Sequence, residues 1–313
     1  MRLNQIKIGN LHTANNVFLA PLAGYTNGPF RNMCRKLGAG LTFTEMVSAK
    51  GLCYGSVKTE NLLYVPEDYA GIRAVQIFGG EPEYMRKACE CEVLSSFGLV
   101  DINMGCPVPK IYKNGEGSAL MNDLPLAAKI ISECKKSGKY VSVKFRIGLD
   151  ESSIMTAEFA RMCEDAGADL ITVHGRTRDK MYSGEVNFKE IAAAKNAVKI
   201  PVIANGGVFS RADADRLMDE TGADGIAVAR GAMYRPWVFA EITGKTDVDK
   251  KADIKRQLSE TEEVYGEKFA CVFMRKMIGF YLRGGADAAS LRAKLFACAS
   301  LSEVCDILEG LNF

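Results

Sequence analysis

Histidine is almost missing: the chain of 313 residues has two, His12 and His174. A metal site built from several histidines is excluded by count, and no metal is expected. An excess of one charge is missing too. Forty Lys and Arg meet 38 Asp and Glu, for a formal net charge of +2. Bulk charge therefore does not announce a nucleic-acid partner, and any basic surface has to be local. No apolar run approaches the ~18 residues that span a bilayer. No apolar stretch follows the opening MRLNQIKIGN, so neither a signal peptide nor a membrane partner is expected. Paired cysteines are lacking: the ten stand singly, except Cys89 and Cys91, which have no second pair and no histidine at zinc spacing. A chain this long does not need disulfides, so a reducing, cytoplasmic compartment is expected. The G-x-G-x-x-G turn of dinucleotide folds is also absent. GEGSAL (115–120) has two of its glycines and follows no strand directly.

What is present is periodic. Eight short β-branched or aromatic-rich runs recur, each followed by a helical pattern: 17–21, 41–45, 73–78, 99–104, 140–145, 170–175, 200–207 and 225–231. Helical patterns lie between them, as in 125–138 and 153–167. The second places Met155, Phe159, Met162 and Cys163 on one face and ends at Gly167. Eight such units predict a (β/α)8 TIM barrel over residues 1–243, with a doubly wound sheet as the competitor. From Gly244 the pattern changes. GKTDVDKKAD reads as a polar linker, and helical periods follow at 252–265, 268–282, 288–298 and 301–311. A small C-terminal helical domain over 252–313 is expected. Nine basic residues from Lys251 to Lys294 balance nine acidic ones from Asp253 to Glu309. Only the cluster Arg275, Lys276 and Arg283 suggests a basic patch there.

In a barrel, chemistry sits at the C-terminal strand ends. Here those ends carry Pro21-Leu22-Ala23, Glu45, Gln76, Asn103 with Cys106, Lys144 with Arg146, His174 with Arg176, Asn205-Gly206-Gly207 and Ala229-Arg230-Gly231. The glycines after the last two strands let backbone N–H groups approach an anion, and Arg230 adds charge. A cofactor with a phosphate tail is expected. Lys144, Gln76 and Asn103 are donors for a planar ring above the mouth. Flavin mononucleotide (FMN) fits, and pyridoxal phosphate on a barrel lysine is the rival. Cys106 weighs against the rival, because that chemistry needs no thiol there.

The segments APLAGYTNGPFR (20–31), TEMVSAKG (44–51), QIFGG (76–80), INMGCPVPKIYKNGEGSALM (102–121), SVKFRIG (142–148), VHGRTRDKMYSG (173–184), VIANGGV (202–208), GIAVARGAMYRPWVF (225–239) and FMRKMIGFY (273–281) resemble the bacterial tRNA-dihydrouridine synthases. The resemblance covers nearly the whole chain, and Asn103 to Pro107 is its most specific part. It implies reduction of the C5–C6 double bond of particular tRNA uridines, with NADPH (or NADH) as reductant through FMN. By match, Pro21, Leu22, Ala23, Gln76, Lys144, His174, Asn205, Gly206, Gly207, Ala229, Arg230 and Gly231 hold the flavin. Asn103, Cys106, Lys144, His174 and Arg176 face the uracil, and Arg178, Arg275 and Lys276 are further substrate candidates. No protein partner is readable. The chain departs from the family pattern at three places: Asn27 for Asp, Val186-Asn187-Phe188 for Ala-Asp-Trp, and Met277 for His. None removes a catalytic group.

This chemistry explains Cys106. Hydride arriving at C6 leaves negative charge on C5 and O4, and a proton must reach C5 from the other face. A thiol with a pKa near ~8.5 is still protonated at neutral pH, whereas carboxylic acids are mostly ionised. Lys144, His174 or Arg176 can stabilise the enolate. Three alternatives stay open at this point: a flavin enzyme on a free pyrimidine, a non-catalytic RNA-binding barrel, and a phosphate-recognising barrel enzyme without flavin.

Overall fold

The computed structural model describes residues 1–311 except 67, 68, 70 and 286. The last two residues of the expected helical domain, 312 and 313, lie outside the described residues. Strands are numbered in chain order: β1 (Lys7–Ile8), β2 (Leu11–His12), β3 (Val17–Leu19), β4 (Leu41–Ser48), β5 (Ala74–Phe78), β6 (Leu99–Met104), β7 (Tyr140–Arg146), β8 (Leu170–His174), β9 (Val202–Asn205) and β10 (Gly225–Val228). Strands β3 to β10 form one closed parallel barrel in chain order, with β10 returning to β3. All eight fall on the runs read from the sequence. Their near-continuous apolar character follows from burial on both faces, inside against the barrel core and outside against helices.

Strands β1 and β2 were not expected. Their two-residue pairing is too short to leave a periodic signal. Ile6 and Ile8 nevertheless pack with Phe18, Leu41, Phe43, Leu99, Leu170 and Ile203, and so close the barrel at the strands' N-terminal ends. His12 is exposed on this hairpin, at the end opposite the strand C-termini. The helix Thr156–Asp165 buries Phe159, Ala160 and Cys163, while Met162 is half-buried and Met155 precedes the first turn. The expected face was therefore turned by about one residue. Gly167 follows the helix with φ +99°, a conformation that glycine alone takes freely.

The expected polar linker is shorter than its composition suggested. Asp249 accepts from the Ala252 N–H and starts a helix at Lys250. Four helices follow: Lys250–Tyr265, Glu267–Tyr281, Ala288–Ala297 and Leu301–Glu309. They continue the barrel's apolar core. Asn32 Nδ2 donates to both Glu260 oxygens at 3.0 Å, which seats the first of them on the helix Gly28–Lys36. On the second, Phe280 packs against Tyr25 and Tyr234, with ring centroids 5.8 and 5.7 Å apart. Both tyrosines line the barrel mouth, so this helix forms part of its rim. Among the described residues no helix is long and apolar enough to cross a membrane.

Candidate active site

The strand C-termini surround a cleft of about 500 Å³. Cys106, Asn103, Arg176 and every residue expected to hold the cofactor line it, whereas Arg178, Arg275 and Lys276 do not. β6 ends at Met104, and the chain then turns. Asn103 Oδ1 accepts from the N–H groups of Gly105 (3.1 Å) and Cys106 (2.9 Å). This side-chain turn is what stops the strand and lifts Cys106 onto the rim. The returning loop pins it from the other side: Ser118 donates to the Cys106 carbonyl through N (3.2 Å) and Oγ (2.7 Å). Gly117 has φ +62°, and a Cβ there would lie 3.0 Å from the Cys106 Cβ. Gly117 therefore allows close packing on the cysteine, whereas a Cβ on Gly115 would meet open space.

Cys106 is 9% exposed. Burial pushes its thiol pKa up, against smaller downward pulls from the Val108 backbone and from Arg146 and Lys144. The thiol is protonated at neutral pH. Lys144 sits beside it, and burial together with Arg146 lowers its pKa to about 8. His174 is pushed well below the ordinary imidazole value, chiefly by burial and then by Lys144, Arg146, Arg176 and Arg230. It is neutral. Its Nε2 lies 3.3 Å from Arg176 Nη1. A guanidinium only donates, so Nε2 accepts and the ring proton sits on Nδ1.

The lysine gives a stability prediction. With a folded pKa of about 8 against an ordinary 10.5, the charged amine weighs against folding at every pH below about 8. That burden fades between those two values, because only the unfolded state is then still protonated. Lys144→Met is expected to stabilise the flavin-free protein at pH ~7 by on the order of 1–3 kcal/mol. Thermal melts should show that gain shrinking toward pH ~10. An unchanged gain at both pH values would contradict the burial assigned to Lys144.

Three arginines fasten the loop 177–184 across the mouth through backbone carbonyls. Arg146 donates from Nη1 to Thr177 O (3.0 Å) and Met181 O (2.8 Å), and from Nε to Gly105 O (2.9 Å). Arg176 binds Gly184 O through Nε (3.1 Å) and Nη2 (2.9 Å). Arg230 reaches Tyr182 O at 2.9 Å. Arg146 thus joins the cysteine turn to this loop, a role sequence reading did not assign; its place two residues after Lys144 was the available signal. Arg178 stacks on Tyr112 at 3.7 Å, bridging the loops after β6 and β8.

An anion cradle lies at the far side. The N–H groups of Gly207, Val208, Arg230 and Gly231 have no protein acceptor among the described residues. Gly206 and Gly207 have φ +128° and +75°, and Val186 packs against both. A Cβ on Gly231 would lie 2.1 Å from Val208 O, so the ends of β9 and β10 touch through backbone alone. Converging N–H groups beside Arg230 are the chemistry of a phosphate site. Helix dipoles contribute less than expected: the helix after β9 starts only at Arg211, and the one after β10, Arg230–Tyr234, is five residues long. A phosphate-bearing flavin fits these donors.

The two C-terminal cations, expected alike, differ. Arg275 Nη1 donates to Cys298 O at 2.7 Å, at the end of the helix Ala288–Ala297. Lys276 Nζ donates to Gly24 O (2.7 Å) and lies over the Tyr25 ring, and it therefore ties the helical segment to the mouth. Arg275 Nη1 also donates to Phe296 O at 3.4 Å, and Arg275→Ala should lower the melting temperature by a few degrees, on the order of 1 kcal/mol for the lost hydrogen bonds. The departures from the family pattern are likewise local. Asn27 and Asn187 each cap a helix, and Met277 is fully buried in the helical core.

A closed barrel whose mouth gathers a thiol, several cations and backbone N–H groups without a protein acceptor among the described residues has the architecture of a TIM-barrel enzyme. The family model described as dihydrouridine synthase matches residues 18–312. The chain belongs to the dihydrouridine synthase family and is an oxidoreductase acting on CH–CH bonds. It is 35% identical over 316 residues to "tRNA-dihydrouridine synthase B" of Pasteurella multocida, covering 97% of this chain and 95% of that protein. The protein of that name from Escherichia coli K12 is 36% identical, covering 97% and 98%. Among solved structures, a histamine dehydrogenase from Rhizobium sp. 4-9 superposes with a TM-score of 0.61 at 12% identity, over 88% of this chain and 50% of that one. That likeness concerns the fold.

Proposed function

We propose that this chain reduces the C5–C6 bond of uridine in tRNA, with FMN in the cleft and NADPH as reductant. The observation that carries the reading is the placement of Cys106, which Asn103 and Ser118 hold by its backbone on the rim of the cleft that Arg230 and the strand-end glycines also line. Its relatives bear the name tRNA-dihydrouridine synthase. Pro21, Leu22, Ala23 and Gln76 would hold the ring of the flavin, and Gly206, Gly207, Gly231 and Arg230 its phosphate, all of them lining the one cleft. Bound there, the flavin would supply the hydride for C6 of the uracil. Cys106 delivers the proton to C5. Lys144, still charged at pH 7, and Arg176 stabilise the negative charge that builds on O4. Neutral His174 offers its Nδ1–H to an acceptor in the cleft and holds no proton to release on Nε2. Ten free thiols suit the cytoplasm, where tRNA is found.

A uracil in stacked tRNA cannot reach this rim, so the base has to be extruded, at a few kcal/mol. The RNA path we assign runs outward from the cleft. Arg230, Arg235 and Arg283 line a concavity of about 390 Å³ with Phe209 and Tyr234. It shares Tyr234 and Arg283 with a second of about 290 Å³, lined by Lys276, Arg292, Phe280 and Phe296. Cations interleaved with aromatic faces suit a nucleic-acid backbone with unstacked bases. Arg283→Ala should raise the KM for tRNA roughly threefold to tenfold, and lower the slope of log affinity against log salt by about 0.7–0.9. NADPH oxidation should be intact. The product assay is nucleoside digestion of unmodified tRNA after turnover. A uridine that has gained two hydrogens supports the proposal, and turnover of free uracil in its place would oppose it.

A further inference from the structure

We propose that Asp101 is a positioning residue for proton delivery: from beneath the barrel mouth it fixes the Gln76 and Asn103 amides, and through Asn103 the turn that carries Cys106. This inference rests on the reading of Cys106 as the proton donor.

Asp101 is 1% exposed and lies inside the barrel. Strand register puts Gln76, Asp101 and Ser142 side by side on β5, β6 and β7. Adjacent residues of parallel strands face the same way, so these three form one layer. Asn103 and Lys144 are paired in the next layer up, two residues on. Each Asp101 oxygen is engaged: Gln76 Nε2 donates to Oδ2 at 2.6 Å, and Ser142 Oγ to Oδ1 at 2.7 Å. With its amide nitrogen bound below, Gln76 turns Oε1 upward, where it accepts from Asn103 Nδ2 at 2.9 Å. Asn103 therefore presents Oδ1 to the Gly105 and Cys106 N–H groups.

This chain of amides has one direction. A backbone N–H only donates, so Asn103 must meet the turn with oxygen. Burial raises the Asp101 pKa to about 6, against downward pulls from Gln76, Ser142 and Lys144, so at neutral pH the carboxyl is mostly ionised and accepts, and Gln76 meets it with nitrogen. Both ends demand the same order, and flipping either amide would set donor against donor or acceptor against acceptor. The carboxyl is also the negative group that faces Lys144, among neighbours otherwise cationic or neutral: Arg146, His174 and Cys106. Asp101 touches neither the cleft nor a reacting atom. Its effect on chemistry passes through the aim of the thiol.

The test uses Asp101→Leu and Asp101→Asn in the flavin-loaded protein. Asparagine keeps an oxygen for Gln76; leucine leaves that amide free to flip. Flavin reduction by NADPH and its reoxidation by tRNA are timed separately, in H2O and D2O, with Cys106→Ala alongside. Asp101→Leu should slow reoxidation roughly tenfold to a hundredfold, with a larger solvent isotope effect, and slow reduction clearly less. Asp101→Asn should recover most of the rate. Amide exchange of the flavin-free protein should quicken about tenfold or more over 103–108 in the leucine variant only. If Asp101→Leu shows normal reoxidation while Cys106→Ala is slow, the inference fails. It fails too if both Asp101 variants slow equally with an unchanged isotope effect, because misfolded protein changes amplitude and not proton transfer. Normal reoxidation in Cys106→Ala would instead remove the acid assignment itself, separately from Asp101.

Discussion

Cys106→Ala is expected to slow reoxidation of the reduced flavin by tRNA by on the order of 10²–10⁴, while reduction by NADPH proceeds at the wild-type rate. The asymmetry follows from position. Asn103 and Ser118 hold Cys106 through its backbone N–H and carbonyl, so alanine leaves the turn and its hydrogen bonds in place and removes only the acid. Burial raises the thiol pKa, so activity should hold across neutral pH and fall on the alkaline side, where Lys144 loses its charge at about 8 and the thiol ionises at higher pH. Stopped-flow traces of the two half-reactions are the check. Equal loss in both would mean that the side chain supports the cleft rather than the proton transfer.

Gly231→Ala is expected to weaken retention of the flavin. A Cβ there meets Val208 O at 2.1 Å, and neither partner is a flexible side chain that can swing away. The ends of β9 and β10 must part, which moves the N–H groups of Gly207, Val208, Arg230 and Gly231 out of convergence. Strain of this kind, about 1–3 kcal/mol, corresponds to roughly a tenfold to hundredfold weaker cofactor. The purified variant should be pale and should take up added FMN weakly. A variant as yellow as the parent would place the phosphate elsewhere. Arg230→Ala should give a milder loss, because the backbone donors stay.

Much of this architecture was legible because its causes are local. The barrel strands are buried on both faces and so read as near-continuous apolar runs broken by single polar residues, as in LVDINM and LITVHG. The cysteine stood out because Gly105-Cys106-Pro107 follows a strand end, where a packing residue is not needed. What stayed hidden depends on neighbours distant in sequence. Asp101 looks like one polar residue in a strand until register sets it between Gln76 and Ser142. Arg146 looks like a second cation beside Lys144 until the loop 177–184 folds over it. Arg275 and Lys276 are adjacent letters with equal charge. One meets the carbonyls that end a neighbouring helix and the other meets Gly24, and no pattern on their own helix distinguishes them. The hairpin at the barrel floor escaped notice for its brevity.

The most direct measurement is anaerobic. The purified protein is reduced with one equivalent of NADPH, and the visible flavin band is followed after mixing with unmodified tRNA and, separately, with free uracil. The account predicts rapid return of colour with tRNA and none with the free base. Return with uracil alone would contradict it, as would a protein that carries no flavin band at the start.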